Sequence, residues 1–184
     1  MNANLFTHVD KTTFFQLAQK IDGQVEYVRG RVMQQQGATL RHIQIAQRFR
    51  SILERQLDET AWFACSGDRA VELDDSVRYP DVLLERAGAH PKSLSTTEPV
   101  LIVEVLSPSS ADRDIDVKSA EYLTFPTLLA YIVASQDEPA CFVWMRDETG
   151  AFPDEPITVK GKQATIEVKS LGVSLSLAEI YQSI

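Results

Sequence analysis

Hydrophobic and polar positions divide the chain into short strand-like runs on either side of one long helical stripe. Over residues 38–57, Leu40, Ile43, Ala46, Phe49, Ile52, Leu53 and Leu57 recur at close to 3.6 residues with Gln, Arg and Glu between them. That spacing predicts the longest helix, packed on one face of a sheet. A shorter helix is expected over 14–20, capped by Thr12 or Thr13 and ended by the Asp22-Gly23 turn. Residues 25–29 alternate as a half-buried strand, with 30–33 returning as its hairpin partner. Residues 62–65 and 70–73 read as strands joined by a turn at 66–68, a meander leading to Arg78-Tyr-Pro-Asp-Val-Leu-Leu-Glu85. Proline lacks an N–H and tolerates the first position of a strand, so Asp81 opens the next one. The segment 86–99, rich in Gly, Pro, Ser and Thr, is the expected loop and borders a substrate in this reading.

The run Val100-Leu-Ile-Val-Glu-Val-Leu-Ser107 changes the picture, because it reads as a strand buried on both faces and yet contains Glu104. An ionised carboxylate left unpaired there costs several kcal/mol or takes up a proton, so a metal ion or a lysine must compensate it. Antiparallel pairing with the run that Asp81 opens brings the two acids to the same sheet edge. Two carboxylates at one edge suit a hard divalent cation, Mg²⁺ or Mn²⁺. Downstream, 107–110 close the strand, Asp112 to Asp116 supply acids for a helix start, 117–123 read as a short helix, and 128–134 as another buried strand. This βαβ unit has a right-handed crossover, which sets Lys118 within reach of both acids. Tyr122 shares the face of Lys118 and either hydrogen-bonds in the site or packs on the sheet. Further strands are expected over 140–145 and in short pieces after 157, carrying no candidate chemistry and suited to a sheet edge or a dimer surface. A helical turn is expected over 176–181.

Pro80-Asp81, Glu104-Val-Leu-Ser-Pro-Ser-Ser110, Asp114, Lys118, Tyr122, Phe125-Pro-Thr-Leu128 and Tyr131-Ile-Val-Ala-Ser-Gln-Asp137 resemble, in order and spacing, the Uma-two family of restriction endonuclease-like proteins, within the PD-(D/E)xK nuclease superfamily. The resemblance extends to Glu26-Tyr-Val-Arg-Gly-Arg31 and covers roughly 13–181. It implies an α/β (α+β) fold: a central mixed sheet flanked by helices, with extra antiparallel strands. It also implies Asp81, Glu104 and Lys118 as catalytic residues, Glu26 as a further acid, and a histidine role for His42, which otherwise reads as a surface or hydrogen-bonded structural residue. Asp81, Glu104 and the Val105 carbonyl would hold the metal, and Asp114 would orient the lysine. In the wider superfamily the lysine follows the glutamate by two residues; here Leu106 stands there, and Lys118 takes its place from the helix.

Composition sets bounds on this reading. A chain of 184 residues with 44% apolar and 24% charged content is expected to form one globular domain. No apolar run approaches the ~20 residues of a membrane span, so a cytoplasmic location follows. Cys65 and Cys141 read as core thiols. The net charge of −8 argues against general nucleic-acid affinity, and Arg41, Arg48, Arg50 and Arg55 read as a solvated helix face. The favoured expectation is a Mg²⁺- or Mn²⁺-dependent endonuclease acting on DNA as a homodimer. The rival is a non-catalytic oligomeric or nucleic-acid-binding module on the same fold, and a metal-free carboxylate-pair glycoside hydrolase stands last.

Overall fold

The computed structural model describes residues 4–106 and 113–182. Ser107 to Ser110 and Asp112 lie outside the described residues, as does the side chain of Asp114. In chain order the elements are β1 (Asn4–Phe6), α1 (Lys11–Ala18), β2 (Val25–Val28), β3 (Arg31–Gln34), α2 (Leu40–Gln56), β4 (Trp62–Cys65), β5 (Ala70–Glu72), β6 (Ser76–Arg78), β7 (Val82–Arg86), β8 (Ser95–Thr96), β9 (Pro99–Val105), α3 (Arg113–Tyr122), β10 (Ala130–Ala134), β11 (Ala140–Met145), β12 (Ile157–Lys160), β13 (Thr165–Val168), a 3₁₀ turn at Lys169–Leu171, β14 (Val173–Ser176) and α4 (Leu177–Ile180).

The strands form a six-stranded sheet in the order β1-β3-β2-β6-β5-β8, a second in the order β12-β11-β10-β9-β7-β4, and a β13-β14 ribbon. In the second sheet β9 and β10 are parallel, joined across α3, while β7 runs antiparallel to β9. The architecture is therefore mixed α+β, with a central mixed sheet, flanking helices and additional antiparallel strands, as expected.

Side-chain period sorts the central strands between two cores. Leu101, Val103 and Val105 of β9, with Ala130, Ile132 and Ala134 of β10, pack with Phe49, Ile52 and Leu53 of α2. Ile102, Tyr131 and Val133 point the other way and pack with Tyr122. Glu104 has the parity of Ile102, so it faces α3. A third core, built on Phe14, Val25, Tyr27 and Val77, sits beneath α1 on the first sheet.

Four expectations need correction. Asp10, not a threonine, caps α1, accepting from Thr13 N at 2.7 Å, so the helix begins at Lys11. The buried residues of α2 are Ile45, Ala46, Phe49, Ile52 and Leu53, while Leu40 is 72% and Ile43 41% exposed. Traced back one turn, that stripe reaches His42, a polar residue at an inward position, which apolar periodicity could not register. β4 and β5 are not a meander: β4 pairs with β7, and β5 with β6 in the other sheet, because the chain changes sheets at 66–69. Finally, the segment 86–99 joins the end of β7 to the start of β9. Antiparallel geometry thus puts it at the end of the sheet opposite Asp81 and Glu104, where it cannot border them.

Candidate active site

β7 and β9 pair with Val82 opposite Val103, which sets Asp81, just before β7, beside the last residues of β9. Asp81 Oδ2 accepts from Val105 N at 2.7 Å, so the acid is stitched to the strand that carries Glu104. His42 Nε2 lies 2.8 Å from Asp81 Oδ1, delivered by the inward face of α2. On the opposite helix, Lys118 Nζ donates to Glu104 Oε1 at 3.0 Å and stands 3.8 Å from Glu26 Oε1. Tyr122, four residues further along α3, donates its hydroxyl to the same Glu104 oxygen at 3.0 Å. The ring of Tyr122 is also fully buried, edge-on to Tyr131, so the two readings of this residue both hold.

All five residues singled out as catalytic, Glu26, His42, Asp81, Glu104 and Lys118, therefore meet in one cluster with Val105. The side chains of Glu104 and Lys118 are each only 12% exposed. Burial raises the Glu104 pKa from its ordinary value to about 7; the Lys118 ammonium opposes the shift, and the Asp81 and Glu26 charges add to it. Tyr122 is pushed well above the usual phenol range, chiefly by burial and then by the Glu104 charge.

Sequence reasoning passed over three partners. Arg78 of β6, 4% exposed, donates from Nη1 to Glu26 Oε2 at 2.8 Å, and from Nε and Nη2 to Glu121 at 2.8 and 3.0 Å. Burial works against its charge, but the Glu121 bonds and the Glu26 carboxylate hold the guanidinium proton above the ordinary range. Gln136, 6% exposed, donates to the Leu106 carbonyl and accepts from Thr39 Oγ1 at 2.6 Å, tying the cap of α2 to the end of β9. A buried-strand arginine, a glutamate three residues beyond Lys118, and a glutamine two past a strand end were legible signals; none announces its partner in one dimension.

The cluster gathers four carboxyl groups, Glu26, Asp81, Glu104 and Glu121, around the Arg78 guanidinium and the Lys118 amine. Among the described residues no group of three or more His, Cys, Asp and Glu is disposed to hold a metal. What the site offers is the two-carboxylate set at adjacent strand ends, which suits Mg²⁺, an ion that keeps several waters and takes one or two acids. Both described hydrogen bonds to Glu104 fall on Oε1, leaving Oε2 for a cation. The donor chemistry therefore fits.

A cleft of about 660 Å³ lies elsewhere, lined by Phe63, Tyr79 and the 86–94 segment. Its Arg69 and Glu85 pair with each other, and neither Asp81 nor Glu104 lines it, so the chemistry is not there. Cys65 borders this cleft and Cys141 is fully buried; both are free thiols, raised by burial to about 11 and about 12.

A mixed sheet bearing two acids at neighbouring strand ends, with an amine from the crossover helix, is the nuclease-like class of α+β fold. A crystal structure of a "putative nuclease belonging to DUF820" from Anabaena variabilis superposes with a TM-score of 0.72 at 16% identity, covering 89% of this chain and 94% of that one. The chain belongs to the Uma2 family, described as "Putative restriction endonuclease", whose model matches residues 12–178. Two Synechocystis relatives carry the names "Uncharacterized protein slr1290", 26% identical over 86% of this chain and 84% of the relative, and "Uncharacterized protein sll1609", 27% identical over 60% and 66%. Among the described residues no helix is long and apolar enough to cross a membrane.

Proposed function

We propose that this protein is a divalent-metal-dependent endonuclease that hydrolyses phosphodiester bonds, with DNA as its substrate. The observation that carries the reading is that the two strand-end acids, Asp81 and Glu104, stand side by side, Asp81 accepting from Val105 N at 2.7 Å and Glu104 accepting from Lys118 Nζ at 3.0 Å. Asp81, Glu104 and the Val105 carbonyl would hold Mg²⁺ or Mn²⁺ together with waters. Such an ion, when bound, polarises the phosphate and lowers the pKa of a coordinated water.

The chain's own groups do the rest. The Lys118 amine orients the attacking water and offsets charge developing on the phosphate. Tyr122 and Lys118 together fix the rotamer of Glu104. His42, held 2.8 Å from Asp81 Oδ1, orients that carboxylate. Residues 1–184 act in this reading as one domain, in the cytoplasm, as a homodimer that offers one site to each DNA strand.

The test is a pair of variants, Asp81→Ala and Glu104→Ala, assayed on plasmid DNA with Mg²⁺ or Mn²⁺, with metal binding measured by calorimetry. Loss of several kcal/mol of transition-state stabilisation predicts a fall of about 10³-fold or more in cleavage, and loss of metal heat, in either variant. Cleavage that survives both substitutions would refute the proposal. The rival, a non-catalytic module, is favoured by the net charge of −8 and predicts neither metal heat nor cleavage in the wild type.

A further inference from the structure

We propose that Arg78 is a positioning residue for the Lys118 amine, fixing α3 against the first sheet so that a lysine supplied by a helix reaches the acids. This rests on the metal-nuclease reading and specifies how its helix-borne component is held. A lysine on the same strand as the glutamate is placed by the backbone itself. Lys118 lies on a separate element, 14 residues from Glu104, and something must set that helix in rotation and height.

Arg78 uses all three guanidinium nitrogens on two elements at once. Its Nε and Nη2 grip both oxygens of Glu121 on α3, and its Nη1 grips Glu26 on β2. Ser76 Oγ adds a bond to Glu121 Oε2 at 3.1 Å. Lys118, Glu121 and Tyr122 stand at helical positions i, i+3 and i+4, so they share one face. Fixing Glu121 therefore fixes the direction in which Lys118 projects. The same arginine orients Glu26, whose other oxygen lies 3.8 Å from the lysine amine. The planar fork is essential to this arrangement; a lysine in its place would keep the charge and lose the two-point grip.

The decisive variant is therefore Arg78→Lys, which leaves the charge of the cluster unaltered. Its Mn²⁺ affinity is expected to stay within about threefold of wild type. At saturating Mn²⁺ its kcat on DNA should fall about tenfold to a hundredfold with KM unchanged, the scale expected of a misplaced catalytic group. A crystal structure of the metal-free variant should show Lys118 Nζ withdrawn from Glu104 Oε1. If Lys118 stays in place, or kcat is unchanged, the proposal is overturned. Arg78→Met distinguishes positioning from general structural support: with one positive charge fewer, the folded variant should bind Mn²⁺ more tightly while cutting less, whereas loss of structure would weaken both. Should Arg78→Lys not fold, Glu121→Gln is read by the same criterion, the place of the Lys118 amine. If the wild type cuts no nucleic acid at all, the nuclease reading falls, and the position of that amine in Arg78→Lys still decides the role of the arginine.

Discussion

Glu104 is the residue whose burial has the clearest thermodynamic consequence. Its pKa of about 7 in the folded chain lies above its ordinary carboxyl value of 4.5, so the native state holds the proton more tightly than the unfolded chain does. The stabilisation this contributes is complete below about pH 4.5 and is lost as pH rises through 7. Glu104→Gln keeps the shape and removes the titration. Its melting temperature relative to wild type should therefore climb between pH 5 and pH 8 in metal-free buffer; a pH-independent difference would show that the acid is not strained by burial. That an acid here needed partners was readable from its apolar neighbours alone. His42 was harder: the apolar spacing of α2 suggested a face containing Leu40 and Ile43, whereas the inward positions of its first turns carry polar chemistry. Arg78 was unreadable as a partner, since nothing in a linear sequence joins β6 to a helix 40 residues later.

At the scale of elements, the parallel β9-β10 pair and its crossover explain how a lysine on α3 can replace one on the strand. Leu106 shares the parity of Glu104, packs against the core on the α3 side of the sheet, and still donates from its N–H to Ala134 O at 2.8 Å, continuing the ladder. An amine at 106 would project to the same side as Glu104. Lys118→Met should therefore lose most cleavage activity, and adding Leu106→Lys should restore at least about tenfold of it, the lower range of what one placed acid-base group contributes. No recovery in the double variant would mean that α3 supplies something the strand cannot. The strands themselves were legible from apolar runs because each central strand is buried on both faces. Sheet membership was not: β4 and β5 look like hairpin partners in sequence, and only the change of sheet at 66–69 separates them.

For the whole molecule, the proposed metal site would link metal binding to folding. A ligand held at 100 times its dissociation constant stabilises the native state by about 2.7 kcal/mol, which for a chain of this size is a rise of about 5–10 °C in Tm. Saturating Mg²⁺ or Mn²⁺ should produce that rise, EDTA should reverse it, and Asp81→Ala should abolish it, all by thermal-shift measurement. An acidic chain of pI about 4.9 has few cations to spend on phosphates. Its DNA affinity should accordingly show a shallow dependence on salt, in contrast with a general nucleic-acid binder.

The residues of the cluster are drawn from far apart along the chain: Glu26 and Arg78 from one sheet, Asp81 and Glu104 from the other, and Lys118 from the crossover that follows. A ribosome that stalls before residue 118 leaves acids without their amine, and a protease that removes the first hairpin takes away one of the carboxylates around it. Copies cut short before residue 118, or stripped of the first hairpin, thus lack part of the proposed site, a harmless way to fail for a chain whose finished form is proposed to cut nucleic acid.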